Sequence, residues 1–254
     1  MQARGSTLGA VALGTALPVA LLLLWQVATE QRWISPLFYP APTRVGERLW
    51  EMLGEGRTYD DIGATLRRLA IGFGIGAGVG VSLGLVAGNS RLVKWSLFPT
   101  ATALYVIPRI ALLPLVLVAF GINDQARVFI VAFSVSFICF FNTLTGAEQV
   151  PRTHLDVARA SLANRWQVLR SVVLPASLPT TFTGLRLGLG YGVIVIISTE
   201  FLAADDGIGA RIWLSYEIFD FPTMYAGIAI ITALGLALNA LLLLAERLMV
   251  PWNR

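Results

Sequence analysis

Seven uncharged runs account for most of the chain: Gly5 to Thr29, Leu69 to Ser90, Trp95 to Pro108, Ile110 to Asn123, Val128 to Ala147, Leu187 to Thr199 and Phe221 to Ala245. A helix needs about 20 apolar residues to cross a hydrocarbon core about 30 Å thick. The pattern therefore predicts an all-α membrane protein with six transmembrane helices; five and seven are the alternative counts. The two short runs flanking Arg109 fuse into one third span, kinked by Pro108 and Pro114. The fifth span starts near Thr180, with Arg186 close to one membrane surface and Glu200 close to the other. Arg4 ahead of an apolar stretch is the beginning of a signal-peptide pattern, but the run exceeds the usual core of about 7 to 15 residues. A retained first span is the expectation.

The segments between and within the runs carry further pattern. Residues 30–68 hold the turn-rich "SPLFYPAPT" and an amphipathic stretch around Val45 to Leu53, which reads as an external connection with a short interfacial helix. Glycine recurs at 72, 76, 80, 84 and 88, leaving one helix face bare so that a neighbouring backbone can approach. Gly184, Gly188 and Gly192 repeat the device. "GFGIGA" formally satisfies a dinucleotide-loop spacing, but it lies mid-span with no strand before it, so packing is the better account.

The segment Thr153 to Pro179 is different, being charged and helix-patterned. Leu155, Ala158, Leu162, Trp166, Leu169 and Val173 recur every three or four residues, the stripe of an amphipathic helix. Thr153 with Asp156, and Asn164 with Gln167, each have the spacing of a capping box, so a helix, an elbow and a second helix are expected. Pro175 and Pro179 should stop the second helix. Such a pair is either gripped by another protein or laid on the membrane surface.

Composition narrows the function. The chain is 56% hydrophobic and 13% charged, with a mean hydropathy of +0.71. The net charge of +4 comes from arginines scattered at span ends, which positive-inside bias explains without nucleic acid. That bias puts the N-terminus, the 89–94 loop, the 148–180 segment and the C-terminus on one side, taken as cytoplasmic. The 30–68 connection strains the rule, with Arg32, Arg44, Arg48, Arg57, Arg67 and Arg68 on the opposite side. The single cysteine, Cys139, and the single histidine, His154, leave no disulfide and no metal cluster. The one lysine, Lys94, is outside any P-loop spacing, so no ATP site is expected in this chain. A membrane-embedded hydrolase would need a nucleophile with a base or metal, and none is apparent.

"LDVARASLANRWQVLRSVVLPASLP" resembles the cytoplasmic signature loop of permease subunits of binding-protein-dependent ABC importers: Glu-Ala-Ala, then a glycine, then a hydrophobic-Leu-Pro ending. Asp156 stands at the glutamate, Val157 and Ala158 at the alanines, Leu162 at the glycine and Leu174-Pro175 at the ending. "YVIPRIALLPLVLVAFGI" and "GLRLGLGYGVIVIISTEFLAADDGIG" are similar to the subgroup that imports nitrate, sulfonates, taurine, bicarbonate and related ions. The resemblance covers roughly residues 65–252. It implies six helices per subunit, two permease subunits, two cytoplasmic ATPase subunits carrying ATP and magnesium, and an external solute-binding protein. It implies no cofactor and no enzyme activity in this chain. Residues 1–64 then form the first span and external connection, and 65–254 the permease core with its coupling loop at 148–180. An ATP-independent channel or carrier is the rival class.

On this resemblance Asp156, Ala158, Arg159, Leu162, Ala163, Asn164, Arg165 and Trp166 are the residues that couple to the ATPase. Asp156 is equally accounted for as a local cap, and Trp166 as an interfacial aromatic. Leu162, where the pattern has glycine, is expected to keep helical angles and turn into the apolar stripe beside Ala158 and Trp166, leaving Asn164 to make the bend. Tyr105, Arg109, Asn142, Tyr191 and Glu200 are candidates for the translocation path. Arg109 either lines the path of an anion or snorkels at a helix end. Glu200 either gates or bonds to Arg211 or nearby backbone. Tyr105, Asn142, Tyr191 and Ser198 could instead bond between helices.

Overall fold

The computed structural model describes residues 7–252 and, among them, is helical without strands. Eleven α-helices follow in order: α1 (Thr7–Glu30), α2 (Pro42–Leu53), α3 (Gly56–Asn89), α4 (Arg91–Val106), α5 (Leu113–Phe120), α6 (Asp124–Glu148), α7 (Arg152–Ala160), α8 (Arg165–Val168), α9 (Leu174–Ala203), α10 (Ile208–Glu217) and α11 (Phe221–Met249). Among the described residues, four helical segments are long and apolar enough to cross a bilayer: 56–89, 124–148, 165–202 and 221–249. A fifth crossing is available if α4 and the segment 109–120, bent by 84° at their junction, count as one. The expected beginning of the first span, at Gly5, lies outside the described residues.

The chain divides into two compact units, one of residues up to Tyr59 with Arg211–Ile230, the other of Asp60–Ala210 with Ile231 onward. In the first, Trp25 meets Tyr225 at 5.4 Å and Phe38 meets Phe221 at 5.3 Å between ring centroids. Arg48 donates to the Thr223 hydroxyl at 2.7 Å. Arg211 pairs with Glu55 and donates to the Thr58 hydroxyl at 2.8 Å. The Arg211 hydrogen bond holds the Glu55 carboxyl below its ordinary value.

In the second unit α6 is the central helix, and glycine decides how its neighbours lie on it. A Cβ at Gly72 would sit 2.8 Å from the Val131 side chain, and one at Gly84 2.8 Å from the Phe140 carbonyl oxygen. At Gly76, Gly80 and Gly88 it would run into the Ala132 carbonyl, the Ser136 carbonyl and the Ala147 methyl. The bare face of α3 thus lies directly on the backbone of α6. On α9 a Cβ at Gly184 would fall 2.5 Å from the Asn142 Cβ, and one at Gly188 3.3 Å from the Cys139 sulfur. Both expected ribbons are packing surfaces, and both press on the same helix. Such close approach supplies the dispersion contacts that substitute for a hydrophobic drive inside lipid. Leu69, Ile130, Val131, Val135, Cys139, Val195 and Ile196 fill the space between.

Three expectations need correction. The helix of span two extends outward from Leu69 to Gly56, so Arg67, Arg68, Asp60 and Asp61 belong to α3 rather than to a loop. Pro175 and Pro179 do not stop a helix: residues 165–202 run as one helical segment. Pro175 has no N–H to offer the preceding turn, and a π turn at Leu169–Val173 precedes it, the local widening by which a helix absorbs such a fault. Third, α7 begins at Arg152 behind Pro151 with no side-chain cap, so Thr153 does not cap it. Asp156 pairs instead with Arg159 at 3.2 Å on the exposed surface.

Candidate functional site

The sequence-selected residues fall into three places. The first is the break between α4 and the 3-10 turn Arg109–Leu112. Ile107 turns extended ahead of Pro108, as a residue before proline prefers, and Arg109 folds back so that its Nη2 donates to the Tyr105 carbonyl at 2.8 Å. Its Nη1 donates to the Tyr191 hydroxyl at 3.3 Å. The guanidinium carbon lies 4.5 Å from the Tyr105 ring centroid, 5.4 Å from Tyr191 and 5.8 Å from Phe137. Phe137 and Tyr191 sit near the middles of α6 and α9, so this charge is at mid-span depth. It is 8% exposed. Among the described residues Arg109 has no ion pair, and its buried Nε has no hydrogen-bond partner. Aromatic faces and one carbonyl cap the cation without neutralising it.

Tyr105, Arg109 and Tyr191 therefore form one cluster, while the other two path candidates lie elsewhere. Asn142 donates to the Ile138 carbonyl at 2.8 Å and fills the space left by Gly184, a packing role. Ser198 likewise bonds within its own helix, to the Ile194 carbonyl at 2.8 Å.

Glu200 belongs to a second, ionic cluster. Its carboxylate is fully buried and accepts from Arg68 Nη1, the Thr65 hydroxyl and the Gly209 amide at 3.0, 3.0 and 2.9 Å. Arg68, 2% exposed, also donates to Asp124 at 2.6 Å and to Asp206. Arg127 adds a 2.9 Å bond to Asp124. The amides of Gly207 and Ile208 donate to Asp61 and Thr65, both at 3.0 Å, so three successive amides at the start of α10 find side-chain acceptors. Gly207 is at φ +106, and a Cβ there would lie 2.6 Å from the Glu200 carboxylate. One arginine thus ties α3, α6, α9 and the 204–207 turn. Sequence reading passed over Arg68, although a signal existed. The glycine face at 72 and 76 continues backwards in helical phase through 68, 65 and 61, the residues that make these bonds.

The third place is the elbow. The Ala163 amide donates to the Ala158 carbonyl at 3.0 Å and the Leu162 amide to the Arg159 carbonyl at 2.9 Å. This is the Schellman pattern, which requires a left-handed residue at the position after the cap. Leu162 supplies it at φ +54, contrary to the expected helical angle. The conformation costs a non-glycine residue about 1–2 kcal/mol, offset by satisfying two carbonyls that would otherwise end the helix unbonded. Nor does its side chain join the stripe: it is 92% exposed, with Trp166 and Val157 each 67% exposed beside it. Leu155, Leu169 and Val173 do face inward, against Ala147 and Val150. Asn164 does not make the bend, which Leu162 makes, but it does cap the helix that restarts at Arg165. Its side chain accepts from the Gln167 amide at 2.9 Å while Gln167 accepts from the Asn164 amide at 2.8 Å.

Comparison with known proteins follows from this geometry. Residues 80–254 match the family described as "Binding-protein-dependent transport system inner membrane component". The riboflavin transport system permease protein RibX of Chloroflexus aurantiacus is 34% identical, over 93% of this chain and 90% of its own. The taurine transport system permease protein TauC of Escherichia coli is 31% identical, over 96% and 90%. The nitrate import permease protein NrtB of Synechocystis is 30% identical, over 91% and 86%. Among solved structures, a bacterial ABC transporter involved in import of the acidic polysaccharide alginate superposes with a TM-score of 0.67 at 16% identity, covering 94% of both chains.

Proposed function

The chain belongs to the inner membrane components of binding-protein-dependent transport systems, and from that premise we propose that it forms the path of a small anion through the bilayer. As a permease subunit of an ABC importer it is a multi-pass membrane protein and not an enzyme. It works with separate ATPase and solute-binding partners. The finer reading has α1 as a first crossing and α4 with α5 as the third, giving six. Two copies stand side by side, two ATPase subunits bind ATP and magnesium in the cytoplasm, and both termini lie on that side. The exposed Leu162, Trp166 and Val157, with Asp156, Ala158, Arg159, Ala163, Asn164 and Arg165 around them, are the surface the ATPase grips.

The observation that carries the anion is Arg109, a guanidinium at mid-span without a carboxylate partner among the described residues. A cation so placed costs free energy unless something negative visits it. Relatives named for taurine, aliphatic sulfonates and nitrate favour the same class, whereas one named for riboflavin does not. In reconstituted transporter, Arg109→Gln should slow uptake of a sulfonate or nitrate by tenfold or more, on the order of one lost charge-assisted hydrogen bond. The ATPase should still co-purify. Unchanged uptake would leave Arg109 only as the cap of the broken helix.

A further inference from the structure

Between the corner that joins α3 to α4 and the elbow that joins α7 to α8 lies a polar cavity of about 560 Å³. Ser90 and Arg91 line it on one side, and Arg159, Ala163 and Arg165 on the other. Three guanidinium groups thus reach it from three helices, and among the described residues no carboxylate lines it. Two cations of this region are already matched: Arg159 pairs with Asp156 at 3.2 Å, and Lys94 with Glu148 at 2.6 Å. Arg91 and Arg165 are not. Among the described residues neither makes an ion pair, and the Arg91 guanidinium rests 5.2 Å from the Trp95 ring centroid.

In water two free cations carry little penalty. The elbow wall of the cavity, however, belongs to the surface assigned above to the ATPase, because Ala163 and Arg165 adjoin the exposed Leu162 and Trp166. A protein that covers those apolar side chains also closes the mouth of the cavity and takes water from both guanidinium groups. Cations so desolvated are destabilising unless a carboxylate arrives with the protein that buries them.

We propose that an Asp or Glu side chain of the ATPase subunit enters this cavity and bridges Arg91 to Arg165, so that the ATPase holds the α3–α4 corner as well as the elbow. The inference rests on the reading of the elbow as the ATPase surface, and adds to it a second point of attachment and the charge of the group that makes it. That attachment bears on the solute. α4 is 16 residues long, about 24 Å at about 1.5 Å per residue, and runs from Arg91 to the break ahead of Arg109. The elbow, in turn, continues into α9 as one helical segment. ATPase movement is thereby delivered to both helices whose tyrosines, Tyr105 and Tyr191, flank Arg109.

The test uses the assembled transporter with its ATPase subunits. Lys94 is the one lysine of the chain, so Lys94→Arg combined with Arg91→Lys preserves the charge opposite Glu148 and leaves position 91 with the only lysine side chain. A carbodiimide, which joins an amine to a carboxylate without a spacer, should then link position 91 to an Asp or Glu of the ATPase, identified by mass spectrometry of the digested product. A product with Glu148 or Asp156 of this chain alone, or no product, would overturn the proposal. Affinity supplies a second arm. Arg91→Gln should weaken ATPase binding about tenfold or more, as for a charge pair that loses one partner under an interface, and replacing the cross-linked acid by Lys should restore binding to Arg91→Glu. Arg170→Gln, an equal change of charge outside the cavity, should bind as the wild type does; an equal loss there would reduce the effect to net charge and refute the bridge. Leu162→Asp, which tolerates the left-handed angle but removes the apolar contact, keeps the two readings apart. Binding lost in Leu162→Asp and unchanged in Arg91→Gln refutes the bridge alone, whereas binding unchanged in Leu162→Asp refutes the elbow reading on which it rests.

Discussion

Replacing Gly80 by alanine adds one methyl group, in the place where α3 lies closest on α6. The new carbon would meet the Ser136 carbonyl oxygen, and would stand 2.8 Å from the Cys139 Cβ and 3.0 Å from the Phe140 amide nitrogen. Two of these three atoms are backbone, so no side chain can swing away. Ordinary contact begins at 3.4 Å, and the helices must part by about 0.5–1 Å to restore it. A gap of that size forfeits about a quarter to a half of each carbon–carbon attraction of about 0.1–0.2 kcal/mol. Over roughly forty such contacts along the facing turns the loss is about 1–4 kcal/mol, in line with the about 1–3 kcal/mol typical of overpacked sites. Gly78, two residues on, has nothing within 4 Å of its would-be Cβ. Gly78→Ala should therefore be neutral or stabilising by up to about 1 kcal/mol, the difference in helix propensity. Thermal unfolding of the purified transporter, followed by tryptophan fluorescence, compares the two. A melting temperature for Gly80→Ala several degrees below that of Gly78→Ala is expected, at about 2–4 °C per kcal/mol for a chain of this size. Equal melting temperatures would refute the close-packed ribbon, and Gly80→Leu with full yield and uptake would do so more strongly.

Three other outcomes follow from the ionic and elbow geometry. Arg68→Met should destabilise the assembled chain by about 3–5 kcal/mol, since Glu200 stays buried without its cation; Arg68→Met/Glu200→Met should recover part of that loss, and a double variant no better than the single one would count against the pairing. Asn164→Ala should remove about 1 kcal/mol of helix capping and speed amide exchange at Gln167, whereas Leu162→Gly should leave exchange there unchanged or slower, because it relieves the left-handed cost and forfeits no buried surface. Faster exchange in Leu162→Gly would contradict the Schellman account. For Glu55 the folded carboxyl titrates below its ordinary 4.5, chiefly through the Arg211 hydrogen bond. Its stabilising contribution is complete above pH 4.5 and fades as pH falls through the lower folded value. Glu55→Gln should thus be less stable than wild type near neutrality and converge with it in acid, and a constant gap down to acid would refute the linkage.

Hydrophobic run length was enough to predict an all-helical membrane chain, because lipid leaves the backbone no alternative but to bond within each segment, but not where each helix begins or ends, as the start of α3 at Gly56 shows. The glycine ribbons were equally legible, since a bare face every four residues has no use except close approach. The Asn164 capping box is local chemistry, complete within four residues, and could be read directly. What depended on distant partners could not. Arg68 looked like a loop charge until Asp124, Glu200 and Asp206 came to surround it, residues brought together from 56 to 138 positions away. Arg109 and Glu200 were indistinguishable as lone charges near spans. Packing alone gave one a buried arginine and left the other cation among aromatic faces. The left-handed turn at Leu162 also went against residue preference, because the bonds that reward it are backbone bonds to which every side chain is blind. Sequence determined which segments are apolar helices and which of their faces are bare; the tertiary structure decided which charges are neutralised and which are left to act.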